Sequence, residues 1–169
     1  MNKFFDLIKD QFTYGGKKYR YNKTKETTDI LFDEFGASWL YGTMSKYCFR
    51  YQNLKRERDL LKIACYCYIL WLKRGFYFST EGLETAQNTT VDMKDVNFEM
   101  FRKAYASFRN SRVIYSSIED VYSILATLSD INFNKLKEYH IFHMLLITEH
   151  IWEVEYESGE EHDTDTHNE

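Results

Sequence analysis

The sequence predicts a mainly α-helical protein, a single-domain bundle of five to seven helices with room for one short N-terminal β-hairpin. Three observations lead there. Proline is absent and glycine is scarce, with 7 residues in 169, which favours long uninterrupted helices over a turn-rich β protein. Apolar residues recur at three- and four-residue spacing through most of the chain, the mark of helices that bury one face. Aromatic residues make up 18%, with 14 Tyr and 13 Phe, enough to fill one core with rings. A chain of this length builds one real core. Residues 1–156 are expected to form that domain, and residues 157–169 a disordered acidic tail with almost nothing to bury.

Residues 2–12 read as a short amphipathic helix with Phe4, Phe5, Ile8 and Phe12 on one side. The Gly15-Gly16 pair, between aromatic and basic residues, reads as a tight hairpin turn with Tyr19 and Tyr21 on its second strand. Thr24 caps an expected helix over 25–35, with Ile30, Leu31 and Phe35 inward and Gly36 ending it. Ser38 restarts a helix over 39–53, and Lys55-Arg56-Glu57-Arg58 forms a solvated basic turn. Residues 59–74 are the most apolar helix, apolar around most of its circumference and so central to the bundle. Residues 76–92, rich in Thr, Glu, Asn and Gln, read as a long loop. An amphipathic helix follows over 93–109, then a short extended piece at RVIYSS. Ser116 or Ser117, with Glu119 or Asp120, caps the next helix through Val121, Ile124, Leu125 and Leu128. A last helix is expected over 132–156, with Leu136, Tyr139, Phe142, His143, Leu146, Ile147 and Trp152 inward.

Three cysteines, Cys48, Cys65 and Cys67, are too few and too close for a disulfide framework. The first residues lack the long apolar stretch of a signal peptide, and no apolar run reaches the roughly 20 residues of a membrane span. A reduced, cytoplasmic protein is the expectation, with no membrane partner. The net charge of -4 conceals an asymmetry. Residues 1–75 carry 15 Lys/Arg against 8 Asp/Glu, and residues 76–169 carry 7 against 18. The basic half suits a phosphate-bearing ligand, or the acidic half of another copy in a homo-oligomer. The overall balance argues against bulk coating of nucleic acid.

Three constellations could carry chemistry. The first is acidic: Glu26, Asp29, Asp33 and Glu34, with Glu57 and Asp59. Helix-borne acids three and four apart share a face and can hold Mg²⁺ against nucleotide phosphates. Glu26, Asp29 and Glu34 are the metal-binding candidates, and Asp59 joins them as a catalytic candidate. The alternative is the solvated faces of two helices. The second is Lys46, Tyr47, Arg50, Lys62 and Tyr66. Lys46, Arg50 and Lys62 are candidates for a phosphate, Arg50 through its fork. Tyr47 and Tyr66, with Trp39, are candidates for a base or sugar. The alternative is a core seam in which Asp59 pairs with Arg50 or Lys62. The third is His140, His143 and His150 with Glu149, which lacks the HExxH pattern. Phosphate-loop, dinucleotide-binding and GxSxG motifs are absent.

The run DEFGASW, Asp33 to Trp39, resembles the acid-aromatic-Gly-x-Ser-Trp signature of small phage and bacterial domains called nucleotide-modification-associated. Glu34 stands for the acid, Phe35 for its usual tyrosine, and Gly36, Ser38 and Trp39 match. Lys46, Tyr47, Arg50, Asp59, Leu60, Lys62 and Tyr66 resemble a pattern in small phage proteins of nucleotide-kinase-like type. More distantly the chain is similar to the all-helical MazG-like pyrophosphohydrolases, whose acid-rich helices bind Mg²⁺. Arg56 stands here where that family has an acid. The resemblance covers residues 33–70. It implies a phage-type nucleotide-binding or nucleotide-metabolising protein acting at a nucleotide phosphate with Mg²⁺, as a phosphohydrolase or kinase-like enzyme, in the host cytoplasm. The alternative is a non-enzymatic phage accessory protein that binds a host protein or a nucleotide signal.

Overall fold

A computed structural model describes residues 3–18, 27–76, 93–110 and 116–157. Among the described residues seven α-helices form a single-domain, all-α bundle, and no strand is present. They are α1 (Lys3–Lys18), α2 (Thr27–Phe35), α3 (Ala37–Leu54), α4 (Glu57–Arg74), α5 (Met93–Arg109), α6 (Ile118–Leu128) and α7 (Glu138–Glu155).

The most apolar segment is indeed the centre. Helix α4 packs on α1, α3, α5 and α7. Its Leu60, Ile63, Ala64, Cys67, Tyr68 and Leu70 are fully buried. Tyr68 gathers the rings of neighbouring elements: Phe12 of α1 lies 5.1 Å away between centroids, and Phe98 and Phe101 of α5 lie 5.2 and 5.0 Å away. Phe101 continues the stack to Phe142 of α7. Such ring pairs add about 0.5–1.5 kcal/mol each beyond area burial. Glu57 and Asp59 open α4, while Lys73 and Arg74 close it, each charge opposing the helix dipole end it sits on. Gly75, at φ 76°, ends the helix in the left-handed conformation that glycine adopts without strain.

Several expectations change. Helix α1 runs through Gly15-Gly16 to Lys18, so the hairpin turn is replaced by helix. Helical glycine costs about 1 kcal/mol relative to alanine, and the preceding turns, anchored by Phe4, Phe5 and Ile8, carry the helix across. Tyr19, Tyr21, Thr24 and residues 77–92, 111–115 and 158–169, on which the expected second strand, helix cap, loop, extended piece and tail fall, lie outside the described residues. Phe35, expected inward, is 63% exposed, because α2 stops there and Gly36, at φ 73°, turns the chain into α3. Phe32 takes the inward role, against Phe133.

The basic turn is also different. Lys55 caps α3 in the left-handed conformation, but Glu57 and Arg58 are buried in the first turn of α4. The last helix is not continuous from 132. A 3-10 turn over Phe133–Lys135 precedes α7, held by the Asn134 N–H donating to Asn132 Oδ1. Tyr139 and His143, four apart on one stripe of α7, face solvent, whereas Leu136, Phe142, Leu146, Ile147 and Trp152 are buried as expected. Ser117 caps α6, its N–H donating to Asp120 Oδ2 at 2.9 Å. No helix of the described residues is long and apolar enough to cross a membrane.

Candidate functional site

The N-terminal half of α4 and the length of α3 from Trp39 to Arg50 build the site. On α3, Trp39, Lys46, Tyr47 and Arg50 recur at three-, four- and seven-residue spacing, which sets them on the flank that meets α4. On α4, Lys62 and Tyr66 are one turn apart and face them.

The ring of Tyr47 is the hub. Lys46 Nζ lies 4.7 Å from its centroid, Lys62 Nζ 5.0 Å and the Arg50 guanidinium carbon 5.8 Å. Three cationic heads thus gather around one aromatic ring, each within the range of cation–π attraction. Tyr66 stacks on Tyr47 at 6.0 Å and 21°, and Trp39 meets Tyr66 edge-on at 6.3 Å. Tyr47 is buried, Tyr66 and Trp39 are half-buried, and Lys46 is exposed. The cluster therefore runs from the core to the surface, with Lys46 and Arg50 on a shallow groove they share with Gly42, Phe49 and Asn53.

Asp59 lies beneath it, with no exposed surface. Its Oδ2 accepts from Arg56 Nε at 3.3 Å, and its Oδ1 stands 3.9 Å from Arg50 Nε. Burial in low dielectric makes such a carboxylate dependent on its cations. Asp59 acts here as the fixed anchor of two arginines. The structure thus brings together Trp39, Lys46, Tyr47, Arg50, Asp59, Lys62 and Tyr66.

It does not bring the acidic group together. Asp29 ion-pairs with Lys73, at the C-terminal end of α4. Asp59 is fourteen residues earlier on the same helix, about 20 Å along the axis. Glu34 is exposed on α2, and Glu26 lies outside the described residues. Among the described residues no group of three or more His, Cys, Asp or Glu is placed to hold a metal ion. Asp29 and Asp59 each already pair with a basic side chain. The histidines separate likewise. His140 Nδ1 accepts the Lys137 N–H and caps α7, His143 is exposed, and Glu149 faces away into a different cluster.

That second cluster was not read as such from sequence. Glu149 Oε1, wholly buried, accepts from Tyr105 Oη at 2.7 Å and from Arg109 Nε at 2.6 Å. Arg109 Nη2 also donates to Glu153 Oε1 at 2.9 Å. Burial, then the charge of Glu149, push the Tyr105 phenol well above its ordinary value, so it stays a donor. The readable signal was Tyr105 and Arg109 four apart on α5, matched by Glu149 and Glu153 four apart on α7.

No protein-family model, no curated protein and no solved structure matches this chain.

Proposed function

We propose that this chain binds a nucleotide or nucleoside phosphate at the α3–α4 cluster. Arg50, Lys62 and Lys46 take the phosphate, and Tyr66 and Trp39 take the base or sugar. The observation that carries the reading is the convergence of three cationic heads on the Tyr47 ring. Three positive charges around one ring make the local potential positive, which favours an anion at this surface. Asp59 stands 3.9 Å from Arg50 Nε and so positions the planar guanidinium, whose geometry suits a phosphate. The resemblance of residues 33–70 to small phage nucleotide-handling domains supports the same assignment. Mg²⁺ enters this reading as the counter-ion that the nucleotide phosphates bring with them.

A second reading is binding of a nucleotide signal without turnover, as a phage accessory protein would do. The pairing of Asp29 with Lys73 and of Asp59 with two arginines favours it, since these carboxylates are committed to cations.

A thermal-shift and calorimetric screen of nucleoside mono-, di- and triphosphates, with and without Mg²⁺, tests the proposal. It expects a saturable stabilisation that the corresponding nucleoside, lacking phosphate, does not give. A flat response to every phosphate ester would overturn it. Product analysis on the stabilising ligand then separates turnover from binding alone.

A further inference from the structure

Helix α3 offers two of its cations to both sides. Toward α4, Lys46 and Arg50 reach the Tyr47 ring at 4.7 and 5.8 Å, with Tyr66 stacked on that ring and Trp39 against Tyr66. Toward solvent the same two side chains line a groove of about 510 Å³ with Gly42, Phe49 and Asn53, a volume in the range of small-molecule sites.

Phe49 gives that groove an aromatic wall. Its ring is 46% exposed, yet it is braced by Tyr122 of α6, 4.9 Å between centroids. A braced ring stacks on a base with little further loss of side-chain freedom. Asn53, exposed one turn beyond Phe49, carries an amide that both donates and accepts, as a base edge requires. Gly42, one turn before Lys46, puts no side chain into the groove. It is not among the glycines with positive φ, and a Cβ built on it meets nothing within 4 Å. Neither backbone conformation nor internal packing calls for a residue of such poor helix propensity, whereas an open groove floor does.

Two aromatic platforms therefore flank one pair of cations. Tyr66 belongs to α4, Phe49 leans on α6, and α3, roughly 10 Å across, stands between them. One base does not cover both.

We propose, resting on the phosphate reading above, that the ligand of this site carries two nucleosides joined through phosphate. The phosphate bridge lies on Lys46 and Arg50. One base takes Tyr66 and Trp39, and the other takes Phe49 with its edge toward Asn53.

Calorimetry on the full chain tests this with ligands matched in phosphate number: AMP against adenylyl-adenosine, ATP against diadenosine triphosphate, and the guanosine equivalents. In at least one pair the two-nucleoside ligand is expected to bind at least about fivefold tighter, the low end of what one base–ring stack supplies, although it carries the smaller charge. Phe49→Ala is expected to bring that ratio close to one. Gly42→Leu, at an exposed helical position with room for a side chain, is expected to do the same by filling the groove, should Phe49→Ala fold poorly. Equal or weaker binding of the two-nucleoside ligand in every pair overturns the proposal and leaves phosphate binding standing. An advantage that both variants preserve overturns it as well. Failure of every one of these ligands to bind overturns the phosphate reading and this proposal together.

Discussion

Asp59 Oδ1 and Arg50 Nε lie 3.9 Å apart across the junction of α3 and α4, the carboxylate wholly buried and the arginine about a third exposed. The relationship is asymmetric. Asp59 depends on its cations for burial, while Arg50 reaches past it toward the surface.

Replacing Asp59 by Ala is therefore expected to destabilise the fold by about 3 kcal/mol or more, the usual cost of breaking a buried ion pair from one side. It also frees Arg50 from its anchor, so nucleotide affinity should fall even at temperatures where the variant is fully folded. Urea unfolding and calorimetry at low temperature check the two effects. Unchanged affinity in a folded Asp59→Ala protein would count against Asp59 as a positioning residue.

The Tyr105–Glu149–Arg109 cluster ties α5 to α7. Tyr105→Phe keeps the ring and removes one donor from a buried carboxylate, at an expected cost of about 1–3 kcal/mol. Glu149→Ala should cost more, because the Tyr105 hydroxyl then loses its acceptor in the interior. Denaturant midpoints at constant slope measure both; equal costs for the two variants would contradict the geometry.

Glu153 supplies a pH-dependent case. Burial, then the neighbouring Glu149, push its carboxyl above the ordinary range and outweigh the opposing pull of Arg109. A folded value above the unfolded one means a stability contribution present below the unfolded carboxylate pKa, about 4.3, and lost as pH rises through the folded value. Glu153→Gln cannot ionise. It should stabilise the protein at neutral pH, by less than about 1 kcal/mol given solvent screening, and the advantage should vanish in acid. Thermal midpoints across pH check the sign.

The cysteines give a chemical readout of packing. Burial pushes the Cys48 thiol up to about 12, and Cys65 and Cys67 are buried beside it. The thiolate is the reactive form, so the native protein should resist a thiol-specific dye at neutral pH and titrate three thiols once unfolded in urea. Rapid native labelling would show that the α3–α4 core opens readily.

Much of this was legible in the sequence. The α3–α4 pair, the central role of residues 59–74 and a serine cap at 116 or 117 follow from periodicity and local chemistry, which act over one or two turns; the structure places the cap at Ser117. What escaped depended on longer range. Gly15-Gly16 carries turn chemistry, yet α1 is held by Phe4, Phe5 and Ile8 in the core. Glu57 and Arg58 read as solvated, yet the corner between α3 and α4 buries them. Residues Lys46, Tyr47, Arg50, Lys62 and Tyr66 shared a helical phase and so could be grouped in advance, whereas Asp29 and Asp59 looked alike until α4 placed them at opposite ends. Tyr105 and Glu149, 44 residues apart, meet only through the α5–α7 packing.

The central claim is that the cations around Tyr47 bind phosphate, and titration calorimetry on Arg50 tests it most directly. With the nucleotide that stabilises the parent protein, Arg50→Ala should weaken binding at least about tenfold, the 1.4 kcal/mol expected for losing a charge-assisted contact. Arg50→Lys should recover part of the loss. Unchanged affinity in a folded Arg50→Ala protein would contradict the account.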